Sequence, residues 1–324
     1  MKVLRIGVLG LASIARRSIL PALFEMRHHF EVVGLATRSV DDARERNPEL
    51  SADLLMTYEE LLSYPDLDAV YIPLPTGLHH DWVCKFLERG TSVLCEKSVG
   101  TSLAEVADMV RLAESKNLVL LENFQFQFHS QFDFLRSFVE SERLGDCRCL
   151  RASFGFPPFS DKTNIRYVKD LGGGALLDAG AYTTKVSQLL LGENLEVVAA
   201  NLQSTPDHEV DIWGSATLRA QNGVTAQLSF GFDNAYRCGV EVWGSKGYLS
   251  TNRLYTARPE FEPTFYLESS DGPQTLKLEP DNHFHRMLER FYELTEDEAL
   301  RREENARTLD QARLLTDIQV MSKI

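Results

Sequence analysis

Through roughly the first 125 residues, short apolar runs alternate with stretches whose apolar residues recur at helical period. This is the pattern of parallel strands wrapped by helices. Strands are expected at Val3–Leu9, Glu31–Ala36, Ala69–Ile72, Ser92–Cys95 and Leu118–Leu121. Helices fit between them at Ser13–Met26, Asp41–Asn47, Tyr58–Ser63, Leu78–Glu88 and Leu103–Ser115, with Pro21 predicting a kink in the first. After one more helix, Gln131–Glu142, the period changes to two. Alternation predicts strands at Arg148–Phe156, Glu196–Leu202, Ser215–Arg219, Thr225–Phe232, Gly239–Trp243, Tyr248–Thr251, Thr264–Glu268 and Thr275–Leu278. Asn222-Gly223 and Lys246-Gly247 read as tight turns between such strands. One helix, Ala175–Leu191, interrupts this series, and two more close the chain at Asn282–Glu293 and Glu303–Ser322.

The change of period divides the chain into an α/β domain over 1–124 and an α+β domain over 125–324. The second is expected to carry a large, mostly antiparallel open sheet with helices on one face. The last helices are placed where they can pack back on the first domain. No internal repeat or low-complexity linker is visible.

Composition narrows the function. The chain has 324 residues and a formal net charge of -13. Such an acidic surface argues against general affinity for nucleic acid or an anionic membrane. No apolar run approaches the roughly 18 residues a membrane span needs. The start, Met1-Lys-Val-Leu-Arg-Ile-Gly7, enters a strand pattern directly, without a signal-peptide pattern. The five cysteines, Cys84, Cys95, Cys147, Cys149 and Cys238, are odd in number and scattered, and Cys147-x-Cys149 is too closely spaced for a usual zinc knuckle. A reduced cytoplasmic protein without a metal site is expected.

The first strand runs into Gly10-Leu11-Ala12-Ser13-Ile14-Ala15, in the place of the dinucleotide fingerprint G-x-G-x-x-G/A. Gly10 makes the tight turn, and Ala15 allows close helix packing. Ala12 replaces the glycine over which the pyrophosphate passes, while the helix N-terminus still offers free N–H groups. The first domain is therefore expected to have a Rossmann fold. After the second strand stands Thr37-Arg38-Ser39 instead of an acidic residue. An arginine between two hydroxyls suits a 2′-phosphate, which favours NADP(H) over NAD(H). The strand at Ala69–Ile72 runs into Pro73-Leu74-Pro75-Thr76, which would line the ligand crevice. His79 reads equally well as a pocket residue or as the first turn of a helix.

Two further segments carry chemistry. Glu96-Lys97 follows an apolar strand, where parallel sheets place active residues. The run Gly172-Gly-Gly-Ala-Leu-Leu-Asp-Ala-Gly-Ala-Tyr182 opens a helix on which Asp178, Tyr182 and Lys185 share one face. Taken alone, that run fits a tight turn before a packed helix as well as it fits a proton-handling site.

The order and spacing of Gly10-x-Ala-x-x-Ala15, Glu96-Lys97 and the run ending at Tyr182 resemble the glucose–fructose oxidoreductase / inositol dehydrogenase / rhizopine-catabolism superfamily over essentially the whole chain. Phe156-Pro-Pro158, Ile165-Arg-Tyr167, Gly223-Val-Thr-Ala-Gln-Leu228 and Asn234-Ala-Tyr-Arg237 are most similar to its sugar 3-ketoreductases, which act on nucleotide-linked keto sugars. The resemblance implies hydride transfer between NADP(H) and a sugar carbonyl, with a free-sugar or dihydrodiol dehydrogenase as the alternative. A non-catalytic NADP(H) sensor is the reading from another class.

The family's Glu-Lys-Pro motif maps onto Glu96-Lys97-Ser98, with serine where the family has a proline, often reached through a cis bond. Tyr182 stands where many members have histidine. The resemblance implies that Tyr182 gives the proton, that Lys97 stabilises the forming alkoxide, and that Asp178 orients a sugar hydroxyl or Lys97. Asn123 is expected at the nicotinamide carboxamide. Arg166 and Tyr167 are expected to face nicotinamide or substrate, and Tyr236 and Arg237 the nucleotide end, although each pair could equally be ordinary strand or loop residues. The expected partners are a small sugar or nucleotide sugar and a second copy of the chain, joined through the C-terminal sheet.

Overall fold

The structure, a computed structural model, describes residues 2–323. It forms two compact units. One holds the chain up to Asn123 together with Phe284–Thr308, and the other holds Phe124–His283 with the chain from Leu309.

In the first unit six strands run parallel: β1 (Leu4–Leu9), β2 (Phe30–Ala36), β3 (Leu55–Met56), β4 (Ala69–Ile72), β5 (Ser92–Glu96) and β6 (Leu120–Asn123). Their order is β3-β2-β1-β4-β5-β6, so the chain reverses direction across the sheet between β1 and β4. β4 is buried at every position and β1 at all but one, as expected of parallel strands covered on both faces. The connecting helices are α1 (Leu20–Glu25), α2 (Val40–Arg46), α3 (Tyr58–Leu62), α4 (His79–Glu88) and α5 (Leu103–Lys116). Ser39 caps α2 by accepting from Asp42 N–H, and Thr57 with Glu60 forms a capping box on α3.

The expected kink at Pro21 takes a specific form. Ala15–Ile19 is a π turn in which Leu20 N–H reaches back five residues to the Ala15 carbonyl. Pro21, which has no N–H to return to Arg17, follows at once.

The second unit begins with α6 (Ser130–Glu140) and contains an eight-stranded sheet. Its strands are β7 (Cys147–Gly155), β8 (Glu196–Gln203), β9 (Trp213–Arg219), β10 (Thr225–Gly231), β11 (Arg237–Gly244), β12 (Gly247–Thr251), β13 (Thr264–Ser269) and β14 (Gln274–Lys277). The order is β14-β13-β12-β11-β7-β10-β9-β8. Every pairing is antiparallel except β7 with β10. Burial alternates along β9, β10 and β11, so one face is core and the other is open. Leu150, Ala152, Phe154, Leu228, Phe230, Val240 and Val242 point into the core with Leu176 and Val186 of the covering helix.

That helix is not uniform. Leu176–Gly180 is a π turn, continued by α7 (Ala181–Leu191). Its start depends on two glycines. A Cβ on Gly173 would lie 2.6 Å from the Arg166 carbonyl oxygen and 2.8 Å from that of Val168. Gly174 has φ of 115°, and a Cβ there would fall on Asp211 Oδ1. This close approach lets Asp211 cap the helix: its Oδ2 accepts from Leu176 N–H at 2.6 Å and its carbonyl from Ala175 N–H at 2.8 Å. Three hydroxyls of buried α7 are satisfied within the helix. Thr183 and Thr184 donate to the Gly180 carbonyl, and Ser187 donates to that of Thr183.

The chain closes with α8 (His283–Glu296) and α9 (Glu298–Met321). α9 starts five residues before the expected Glu303, because Asp297 Oδ1 accepts from both Ala299 and Leu300 N–H and so caps it early.

Gly174→Ala is expected to destabilise the protein by about 1–3 kcal/mol, and loss of the Asp211 cap in Asp211→Ala by about 1 kcal/mol. Urea unfolding checks both, and an unchanged midpoint for Gly174→Ala would contradict the steric account.

Candidate active site

In the first unit, the expected cofactor residues gather at the carboxyl ends of the parallel strands, around the switch between β1 and β4. Gly10 has φ of 113°, and a Cβ there would lie 3.0 Å from Leu74 Cδ2 and 3.6 Å from Tyr58 Oη. The gap is therefore a backbone cradle that any other residue would fill. The first helical bond, Arg16 N–H to the Ala12 carbonyl, leaves the N–H groups of Ala12, Ser13, Ile14 and Ala15 at the open end of the helix, just after Leu11. Thr37 Oγ1 donates to the Ser39 carbonyl at 3.5 Å, and the Ser39 hydroxyl is engaged in capping α2. Arg38 is exposed, close enough that its charge pulls the Tyr58 phenol down against the larger upward push of burial. Tyr58, which sequence reasoning treated only as helix, thus reaches Gly10 with its hydroxyl and feels the charge of Arg38. Its edge-on packing against Trp82 at 5.3 Å fixes it there.

His79 is fully buried, at 0% exposure. Its Nε2 lies 2.8 Å from the Leu74 carbonyl and its Nδ1 2.9 Å from that of Ser98. The ring ties the segment after β4 to the segment after β5, so of its two readings the pocket contact is corrected: no ring surface remains for a ligand. Burial outweighs the pull of the carbonyls and holds the imidazole down at about 4.

Glu96 Oε1 accepts from Tyr71 Oη at 2.7 Å and from Asn123 Nδ2 at 2.6 Å. Burial nevertheless pushes its carboxyl up. Asn123, 1% exposed, stands behind Glu96 as its prop. Lys97 follows on the half-buried turn, and the Lys97–Ser98 peptide is cis. Leu74, Pro75 and Thr76 lead into a 3-10 turn closed by Leu78 N–H to the Pro75 carbonyl. His80, Cys84 and Asp108 bring three donor atoms within 4.8 Å of one another, the one grouping of metal-ligand types among the described residues. His80 Nε2 is 3.0 Å from Asp108 Oδ2.

In the second unit, the Tyr182 phenol is 7% exposed. It sits among Phe124, Phe126, Phe154 and Tyr255, with ring centroids 5.2–5.9 Å away. Gln125 faces its hydroxyl, with Nε2 at 3.4 Å and Oε1 at 3.5 Å. Sequence reasoning missed Gln125; the available signal was a polar residue inside the aromatic run Phe124-Gln-Phe-Gln-Phe128. Lys185, one turn on, is buried, bonded to Gln188 Oε1 at 2.9 Å and 5.7 Å from the Phe124 ring.

Asp178 lies in the π turn and meets Arg166 Nε at 2.6 Å. Asp178 and Arg166, expected at different ligands, are thus brought together as an ion pair. Tyr167 Oη accepts from Phe159 N–H at 3.1 Å, and its ring packs on His208. Tyr236, 44% exposed, bonds Thr256 through its hydroxyl and lies under the Arg253 guanidinium. Arg237 begins β11 on the open face. Its neighbour Cys238 pairs with Phe154 on the covered face, the face on which Tyr182 packs. The main chain of β11 thus separates Arg237 from Tyr182.

Comparison with known proteins gives consistent matches. An oxidoreductase family with an NAD-binding Rossmann fold matches residues 4–124. The GFO/IDH/MocA C-terminal domain family matches 132–250. The chain is 37% identical over 290 residues to a dTDP-3,4-didehydro-2,6-dideoxy-alpha-D-glucose 3-reductase from Saccharopolyspora spinosa, covering 90% of this chain and 87% of the relative. A Streptomyces violaceoruber protein of the same name is 41% identical over 85% of this chain and 80% of its own. A 3-ketoreductase from Actinomadura kijaniata, crystallised with NADP and TDP-benzene, superposes with a TM-score of 0.93 at 35% identity, covering 99% of this chain and 98% of that one.

The buried imidazole sets a pH dependence. Above pH 6.5 neither folded nor unfolded His79 binds the proton, and stability is whole. As pH falls from 6.5 through about 4 the unfolded chain takes up a proton that the folded chain refuses, and stability is lost. The loss from this group approaches about 3 kcal/mol. His29 and His283, also held down by burial, contribute in any background. The measurement is therefore urea-derived stability across pH 4–6.5 for wild type against His79→Gln. The slope should flatten by up to one proton in the variant; equal slopes would exclude His79.

Proposed function

The chain belongs to the GFO/IDH/MocA family of oxidoreductases, and from that premise we propose that it is an NADP(H)-dependent ketoreductase of a nucleotide-linked deoxy keto sugar. The observation that carries the proposal is the 3-ketoreductase bound to NADP and TDP-benzene, which the chain matches over 99% of its length. The cradle over Gly10 fits the pyrophosphate of a dinucleotide, and exposed Arg38 beside Tyr58 fits a 2′-phosphate. When bound, the reduced nicotinamide supplies the hydride.

The chain's own residues do the rest. Tyr182 donates its phenolic proton to the forming alkoxide, a task for which a phenol is already protonated at neutral pH. Lys97 is assigned to supply positive charge to a developing oxyanion. Glu96, held by Tyr71 and Asn123, fixes the strand end from which Lys97 departs. The Arg166–Asp178 pair offers a guanidinium and a carboxylate to substrate hydroxyls. Tyr167, Tyr236 and Arg237 are assigned to the substrate's sugar and nucleotide ends.

We also propose that a second copy of the chain covers the open face of the large sheet. Trp213, Trp243 and Tyr266 stand 38%, 55% and 47% exposed on its strands β9, β11 and β13, large rings for a surface that faces only water. No helix among the described residues is long and apolar enough to cross a membrane. All five cysteines are free, which suits the reducing cytoplasm to which we assign the protein.

The test follows NADPH absorbance with nucleotide-linked keto sugars, and NADP reduction with free sugars and dihydrodiols. Turnover is expected in the first set. Tight NADPH binding without turnover in either set would leave a sensor. Tyr182→Phe should lower kcat by roughly 10²–10⁴-fold, and unchanged turnover would remove it as the acid. Arg38→Ala should raise KM for NADPH roughly tenfold to a hundredfold while leaving that for NADH in place. Equal effects on the two cofactors would refute the 2′-phosphate assignment.

A further inference from the structure

We infer that Gln125 is a positioning residue that serves the Tyr182 phenol in both of its protonation states. The inference rests on the reading of Tyr182 as proton donor.

Gln125 lies on the 3-10 turn Gln125–Phe128 and is nearly buried. Its orientation follows from one contact. The Tyr255 carbonyl, 3.4 Å from Nε2, can only accept, so the nitrogen must face it. With one N–H committed there, the remaining edge of the amide presents a donor and an acceptor side by side. That edge faces Tyr182 Oη, at 3.4 Å from the nitrogen and 3.5 Å from the oxygen.

A near-equal pair of distances gives the amide two uses. Before substrate binds, the phenol O–H points at Gln125 Oε1; when the carbonyl arrives, that one hydrogen swings about the C–O bond from the amide oxygen to the substrate oxygen. When the proton moves to the substrate alkoxide, the O–H bond breaks and its electron pair stays on Tyr182 Oη. The second Nε2–H then donates to the phenolate. No side chain has to turn between the two states. Lone contacts of this length are weak at rest; catalytic hydrogen bonds commonly tighten when the complex forms.

The consequence has a sign. The bond accepted from the neutral phenol favours the protonated form, but the bond donated to the phenolate is charge-assisted and about twice as strong, so on balance Gln125 lowers the phenol's proton affinity and makes it a stronger acid. The other ionisable groups nearby are Lys185 and Asp178 on its own helical segment and the buried phenol of Tyr255 opposite. They are unchanged in the variants below. The ring faces from Phe124, Phe126 and Phe154 carry no charge.

The experiment measures kcat and kcat/KM for NADPH-dependent ketone reduction across pH 6–11 in wild type, Gln125→Leu and Gln125→Glu. Tyr182→Phe is measured alongside. Gln125→Leu removes donor and acceptor. The alkaline limb should move up by roughly one pH unit and kcat at neutral pH should fall roughly tenfold, with KM for NADPH unchanged. Gln125→Glu keeps the size and the acceptor but replaces the donor with a carboxylate, so its alkaline limb should move at least as far. It also carries the test if the leucine variant fails to fold.

A fall in kcat with no movement of the limb in either variant would show that Gln125 only supports packing, and would overturn the proposal while leaving Tyr182 as the acid. Full turnover in Tyr182→Phe would overturn the reading of Tyr182, and this inference with it.

Discussion

The missing Cβ atoms at Gly173 and Gly174 are the constraint on which the larger unit's chemistry rests. Without them the carbonyls of Arg166 and Val168 can close on the backbone, and Asp211 can reach the first free N–H groups of the helix. That launches Leu176–Gly180 as a π turn and lets α7 run buried beneath the sheet. Tyr182 then arrives among four aromatic rings, and Asp178 arrives opposite Arg166. A side chain at either glycine would displace the helix start, and with it every polar group the helix carries.

The two units partner polar groups kept in low dielectric in different ways. In the parallel unit the partners come from neighbouring strand ends. Glu96 is held by Tyr71 of β4 and Asn123 of β6, and neutral His79 donates its one N–H to one of the two carbonyls that follow β4 and β5. In the antiparallel unit α7 supplies its own, with Thr183, Thr184 and Ser187 returning to backbone carbonyls one turn back.

Much of this was legible in the residues. The alternation of apolar runs located five of the six parallel strands and all eight strands of the open sheet to within about two residues. β3 escaped because two residues carry no period. The early start of α9 at Glu298 escaped because Asp297 capped it ahead of its first clear apolar stripe. The π turns were invisible because a one-residue widening leaves the composition of a helix unchanged; only Pro21 hinted at the first. His79 read ambiguously because a histidine at a helix start looks the same whether it faces a ligand or two carbonyls.

Taken by itself, the sequence determined the fold class, the order of the two architectures and the residues able to do chemistry, because periodicity and residue type are local properties. Lys97, Tyr182, Arg38 and Gly10 are candidates nominated in this way. Their partnerships were decided by the tertiary structure alone: Arg166 with Asp178, Asn123 behind Glu96, Tyr58 against Gly10, and Gln125 against Tyr182. The members of these groups lie up to 57 residues apart in the chain. Hydrogen bonds and buried charges depend on distances of a few tenths of an ångström, and only the packed sheets and helices set distances that fine.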